Sequence, residues 1–251
     1  MADLDRNYAQ GTTVGRAEVG VIDEGLRSYM LRVYNYMGVG VAITGVVAYL
    51  TYAMAVVQTE AGTQLTSFGT FIFQSPFKWV VILAPLAMVF FLSARMSHMS
   101  LSAAQLAFWI FAGLMGLSIS SIFLVFAGDS IARVFFITAA SFGALSLYGY
   151  TTKKDLSGWG SFLIMGLIGV IIAMLVNLFL ASSALQFAIS VIGVLVFAGL
   201  TAYDTQQIKE MYYVGDDGTV AGRKAIVGAL RLYLDFINLF MMLLQLFGDR
   251  R

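Results

Sequence analysis

The chain has 251 residues, of which 59% are hydrophobic and 12% charged, where an ordinary soluble domain carries roughly 45–50% and about 25%. Mean hydropathy is +0.84, and 20 Phe, 13 Met and 25 Gly complete the composition of a polytopic membrane protein, in which glycine lets helices approach closely. A water-soluble globule, a disordered chain, a coiled coil and a nucleic-acid-binding protein are thereby excluded, and a formal net charge of +1 points to no polyanionic partner. There is no cysteine, which removes disulfides, thiolate metal sites and a cysteine nucleophile, and a single histidine, His98, builds no histidine cluster.

Residues 1–30 read as a polar cytoplasmic segment and residues 31–251 as one transmembrane domain. The first twenty residues contain no apolar h-region, so the first spanning helix is expected to act as its own insertion signal. A spanning helix needs about 20 mostly apolar residues. Seven segments approach that, at roughly 34–57, 77–95, 103–127, 131–150, 160–181, 184–203 and 226–247. Gln58 to Pro76 reads as a Gly/Thr/Ser/Gln-rich loop, while links such as Gly128-Asp129 and Ser182-Ser183 are short turns that make successive helices antiparallel neighbours.

Lys and Arg in alternate loops give the orientation. With the N-terminus cytoplasmic, that side collects ten basic residues, Arg6, Arg16, Arg27, Arg32, Arg95, Lys153, Lys154, Lys209, Arg223 and Lys224, against Lys78 and Arg133 on the other. The seventh segment breaks the pattern, because it contains Arg231, Asp235 and Asn238 and is followed by Asp249-Arg250-Arg251. A full crossing puts two arginines outside and a re-entrant path keeps them inside; the sequence leaves both open. A helix that polar near its middle is expected at the centre of the bundle, wrapped by the other six.

Most of the 14 acids lie in tails and loops, but Asp204 sits at the end of the sixth segment and Asp235 well inside the seventh. A carboxylate at bilayer depth costs about 2.5–3.5 kcal/mol on insertion scales, so both are expected to face protein or water, and preferably each other. Two carboxylates in contact do not both ionise cheaply, and the pair would share a proton, which makes it a candidate pH switch. Arg95, at the end of the second segment, is the natural third member, bridging the carboxylates when they are ionised; the alternative is that it only snorkels to the interface. Arg231, four residues before Asp235, offers local neutralisation instead. Asn238, Asn177 and the cluster Ser118, Ser120 and Ser121 are possible path or support residues, with the serines expected to bond between helices. His98 reads as a solvated loop residue, and Gly113, Gly116, Gly166, Gly169, Gly193 and Gly199 as close-packing positions.

The run Gly199-Leu-Thr-Ala-Tyr-Asp-Thr-Gln-Gln-Ile-Lys209, followed by Ala229-Leu-Arg-Leu-Tyr-Leu-Asp-Phe-Ile-Asn-Leu-Phe240, closely resembles the signature of the Bax-inhibitor (transmembrane Bax inhibitor motif) family. So does Arg27-Ser-Tyr-Met-Leu-Arg-Val-Tyr34 with Met37 and Gly38, and the similarity extends from about residue 23 through nearly the whole chain, with loops as short as in bacterial members. The resemblance implies an all-α fold of seven transmembrane helices with the C-terminal helix central. It also implies a pH-sensitive calcium leak channel of the inner membrane, gated by two aspartates that match Asp204 and Asp235, with a basic partner that matches Arg95 less distinctively. Bacterial members are further linked to a membrane-bound ATP-dependent protease, so the alternative is an interaction protein that modulates such a partner. The long polar N-terminal segment departs from the family.

For transport, Asp204 and Asp235 would supply a weak, transient Ca²⁺ site, Ca²⁺ and H⁺ being cargo and signal rather than tightly bound cofactors. An intramembrane aspartyl protease also uses two aspartates that share a proton. Here Leu234 stands where such proteases carry a glycine before the second aspartate, and the chain is expected not to be an enzyme.

Overall fold

In a computed structural model, the backbone is described for residues 2–59 and 62–251, and the side chains from Glu24 onward apart from Ser97. The polar segment 1–30 therefore falls largely outside the described side chains. Nine α-helices are named here in chain order: α1 (Ala2–Ala55), α2 (Ser67–Phe73), α3 (Lys78–Arg95), α4 (Leu101–Ile119), α5 (Ile122–Val125), α6 (Gly128–Thr151), α7 (Ser157–Leu180), α8 (Ser183–Glu210) and α9 (Gly218–Phe247). Seven stretches are long and apolar enough to cross a membrane, α4 and α5 together forming one and Glu24–Ala55 of α1 another. Polar side chains start several of these helices by accepting from the first free backbone N–H groups: Ser100 from Ala103, Ser182 from Leu185 and Asp217 from Val220.

The seven expected segments agree with these helices, with two differences. The loop expected over Gln58 to Pro76 contains a two-stranded antiparallel hairpin, β1 (Val56–Thr59) and β2 (Gly62–Leu65), and the short helix α2. Its strands are polar on both faces and lack the alternation that would reveal them. The sixth and seventh helices are also longer than their apolar cores: α8 runs on through Lys209 and α9 begins at Gly218, because polar side chains there bond to neighbouring loops.

α9 is the centre. In its most apolar stretch 72% of residues are buried, against 17% in α3 and in α7. α1, α4, α6 and α8 pack directly against it, while α3 lies on α4 and α7 on α8, so the wrapping is in two tiers. Tyr233 of α9 is fully buried among Phe108 and Phe111 of α4, and Phe236 meets Phe135 and Phe142 of α6 edge-on.

Glycine sets the closest approaches. A methyl group on Gly116 would lie 2.6 Å from the Thr44 carbonyl oxygen, and one on Gly149 would collide with the backbone of Ala202. Gly166, Gly193 and Gly199 likewise face Val196, Met242 and Leu163. Gly113 and Gly169 do not, since a methyl group there meets nothing within 4 Å, and the close-packing reading fails at those two positions.

The path of α9 is a full crossing parallel to α1. Gly228 lies beside Val33, Tyr233 beside Gly40 and Arg251 beside Tyr52, so both chains advance in the same direction. The last residues are then tied to the α5–α6 turn: Ala127 N–H donates to Asp249 O and Arg251 N–H to Val125 O, both at 2.9 Å. Asp249 N–H donates to Ser130 Oγ at 2.8 Å, and the Asp249 carboxylate pairs with Arg133 at 2.6 Å. Arg250 and Arg251 thus share the end of the bundle with Arg133.

Candidate functional site

The Gly199–Lys209 motif divides its side chains between two neighbours. On the α6 side, Thr201 and Thr205 are fully buried and donate to the carbonyls of Phe197 and Thr201, both at 2.7 Å. Thr205 also meets Ser146 Oγ at 2.9 Å, and Ser146 meets Tyr34 Oη at 2.6 Å, a hydroxyl chain that joins α8, α6 and α1. Gln206 pins the α6–α7 link, its amide donating to Lys154 O at 2.9 Å and its carbonyl accepting from Leu156 N–H at 2.8 Å. Lys209 donates to Tyr150 O at 3.0 Å, at the carbonyl end of α6 where a cation is favoured.

Asp204 and Ile208, one turn apart, point instead to α9. Ile208 packs against Gly228, where a Cβ would come within 2.9 Å of its Cγ2. From that shared level Asp204 lies about 6 Å deeper along α8 and Asp235 about 10 Å deeper along α9, a mismatch that two aspartate side chains span. The two carboxyls face each other closely enough for one proton to bridge them. Asp235 is 5% exposed, Asp204 is partly exposed, and no N–H or O–H donor reaches Asp235 Oδ2.

Arg231 is the cation whose field acts on both carboxyls, and it also acts on Tyr29 of α1. Its side chain is exposed and forms no direct ion pair among the described residues. Asp216, in the α8–α9 link, is engaged by Lys224 at 2.5 Å. Arg95 is not brought to the pair. It ends α3, which packs chiefly on α4, and it stays exposed without an ion pair among the described residues. The expected cluster of Asp204, Asp235 and Arg95 is thus not assembled, and the cation acting on the pair is Arg231, which rides on the same helix as Asp235. His98 is exposed in a single 3-10 turn, as read from the sequence.

One face of the central helix is less buried than the rest. Arg231, Leu234, Asn238, Met241 and Gln245 follow one another at spacings of three and four and are each only partly buried or exposed. The stripe begins beside the carboxyl pair and ends at Gln245, in a polar cavity of about 410 Å³ lined also by Asn177, Gln186, Ser190 and Arg250. Asn238 donates to its own helix, at Leu234 O, 2.8 Å away. Asn177 holds the α7–α8 turn by donating to Gln186 Oε1 at 3.1 Å and accepting from Ser182 N–H at 3.0 Å. Ser120 bonds within its own segment, to Leu117 O, rather than between helices as expected.

Two functional contacts escape sequence reading. Tyr233, two residues before Asp235, meets Thr44 Oγ1 at 2.6 Å, and Thr44 in turn lies 2.8 Å from Ala112 O, which locks α9 to α1 and α4. The Tyr34–Ser146–Thr205 chain is the second. Their partners lie between 59 and 189 residues away along the chain, so no local pattern marks them.

Comparison with known proteins adds a family and three relatives. The family described as "Inhibitor of apoptosis-promoting Bax1" matches residues 26–251. A Rickettsia prowazekii protein is 48% identical over 229 residues, covering 91% of this chain and 92% of its own. The inner membrane protein YbhL of Escherichia coli K12 is 46% identical over 230 residues, covering 90% and 94%. A Caulobacter vibrioides protein is 44% identical over 252 residues, the full length of both chains.

Proposed function

The chain belongs to the family described as Inhibitor of apoptosis-promoting Bax1, and on its buried carboxyl pair we propose that it is a pH-sensitive calcium leak path. The name of the Escherichia coli relative supports placing it in the bacterial inner membrane, and the excess of basic residues in the alternate loops on the N-terminal side supports a cytoplasmic N-terminus.

The observation that carries the reading is the meeting of the Asp204 and Asp235 carboxyls across the two C-terminal spans, with Asp235 buried. Two carboxyls hold together through one shared proton, and the negative charge that remains draws Arg231. A second proton removes that charge and with it the attraction, which frees α9 to shift; acidification therefore raises the leak. Ca²⁺ is cargo here, and oxygen donors suit it. Among the described residues no three acids or histidines gather, a donor set that fits a passing ion better than a stored one. The proposed route runs from the pair along the less buried stripe past Asn238 to the polar cavity at Gln245 and Asn177.

The double variant Asp204→Asn/Asp235→Asn tests this, because two amides still bond to each other and neither titrates. In proteoliposomes the wild-type calcium flux should rise as pH falls from about 8 to about 5, while the variant's flux stays flat. A variant that keeps the wild-type pH profile removes the pair from the gate.

A further inference from the structure

Along one half of the bundle α1 and α6 stand apart, and between them lies a cavity of about 590 Å³ floored by Phe236 of α9. Its walls are apolar, with Met30 and Met37 from α1 and Phe142 and Leu147 from α6, apart from the Tyr34 and Ser146 hydroxyls, which bond to each other at 2.6 Å. Arg27 stands at one end. There a second, polar cleft of about 380 Å³ continues over Arg27, Ser28, Arg32 and Asn35, with Glu24 as the acid in its lining.

Length identifies the occupant. Arg27 to Met37 is ten residues, or about 15 Å of helix, which is half of a hydrocarbon core of about 30 Å. The apolar part of the groove thus measures one leaflet, and the arginines stand where the headgroups of that leaflet lie.

We propose that this groove binds an anionic phospholipid, one acyl chain between α1 and α6 and the phosphate against Arg27 and Arg32. Two guanidinium groups against one carboxylate favour a headgroup of net negative charge over a zwitterion, whose ammonium group would face the same arginines. The acyl chain would touch α9 directly and reach α8 only through Ser146 of α6. Phe236 directly follows Asp235, and Ser146 contacts Thr205, the neighbour of Asp204. Binding itself is independent of whether ions pass.

Native mass spectrometry of the full chain in detergent, with phosphatidylglycerol or phosphatidylcholine of matched acyl chains added, tests the site. The wild type should retain phosphatidylglycerol preferentially. Gly143 lines the groove and a Cβ there meets nothing within 4 Å, so Gly143→Trp fills it and should bring retention to background. Arg27→Gln and Arg32→Gln should each weaken phosphatidylglycerol retention about fivefold and leave phosphatidylcholine unchanged. Both arginines are exposed, so these variants carry the test if the tryptophan variant fails to fold. Equal retention of the two lipids by the wild type, retention that survives both arginine changes, or unchanged retention by a folded Gly143→Trp protein overturns the proposal.

Discussion

Thr44 and Tyr233 should be coupled through the bond that orients the central helix. Tyr233 is fully buried, and its hydroxyl has one partner, Thr44 Oγ1 at 2.6 Å. Thr44 also lies 2.8 Å from Ala112 O and 3.0 Å from Gly40 O, so its own proton goes to a carbonyl and it accepts from Tyr233. Tyr233→Phe removes one donor and leaves no buried group stranded beyond a hydroxyl lone pair. Interhelical hydrogen bonds within membranes average about 0.6 kcal/mol, and that is the expected loss. Thr44→Val strands the fully buried tyrosine hydroxyl, which costs about 1–3 kcal/mol. In the double variant nothing is stranded except the Ala112 carbonyl, which still bonds within its helix, so it should lie within about 1 kcal/mol of Tyr233→Phe alone, with a coupling energy in the 0.5–3 kcal/mol range of contacting residues. Reversible unfolding of the four proteins in mixed micelles measures the cycle. If the single losses add to within about 0.5 kcal/mol, the hydroxyl is not committed to Thr44 and the bond does not orient α9.

Three further outcomes are expected. Gly149→Ala forces a methyl into the Ala202 backbone and should destabilise by about 1–3 kcal/mol, whereas Gly113→Ala meets open space inside α4 and should be neutral or stabilise by up to about 1 kcal/mol; unfolding midpoints compare them directly. Gln206→Ala removes both bonds that hold the α6–α7 link, at about 0.5–1.5 kcal/mol each, and should speed amide exchange selectively at 152–156. The chain has no cysteine, so single cysteines report sidedness cleanly. A membrane-impermeant maleimide applied from the periplasmic side should label Asp249→Cys and spare Lys153→Cys, and the reverse pattern would overturn the orientation.

Apolar length alone revealed the seven spans, because lipid leaves a helix little other choice. The two aspartates were legible for a related reason: a carboxylate inside an apolar run has no cheap explanation other than a partner. Legibility fails where the partner is set by packing. Arg95 reads as the natural cation in sequence and Arg231 as the alternative, but α3 belongs to the outer tier and α9 to the centre, and only the fold decides between them. The hairpin Val56–Leu65 carries no amphipathic alternation because its strands are polar on both faces. The glycines show the same limit within one residue type, since Gly116 faces the backbone of α1 while Gly113, almost one turn earlier, faces open space.

The far end of α9 bears on orientation, which the gate reading needs. A full crossing places Arg250 and Arg251 with Lys78 and Arg133, so the basic balance becomes ten against four rather than ten against two. Three of those four are held by specific partners. Arg133 pairs with Asp249, Arg250 donates to Gln245 and lies over the Phe126 ring, and Arg251 donates to Tyr52. Those three are exposed, as are Arg27, Arg32, Lys153 and Lys154 at the opposite end, so they count against the bias, which at ten to four still favours the same orientation. Arg250 is also the cation in the polar cavity at the end of the α9 stripe. On the proposed leak reading, a divalent cation entering there would meet a positive charge first and the carboxyl pair last, which would favour a slow leak over rapid conduction.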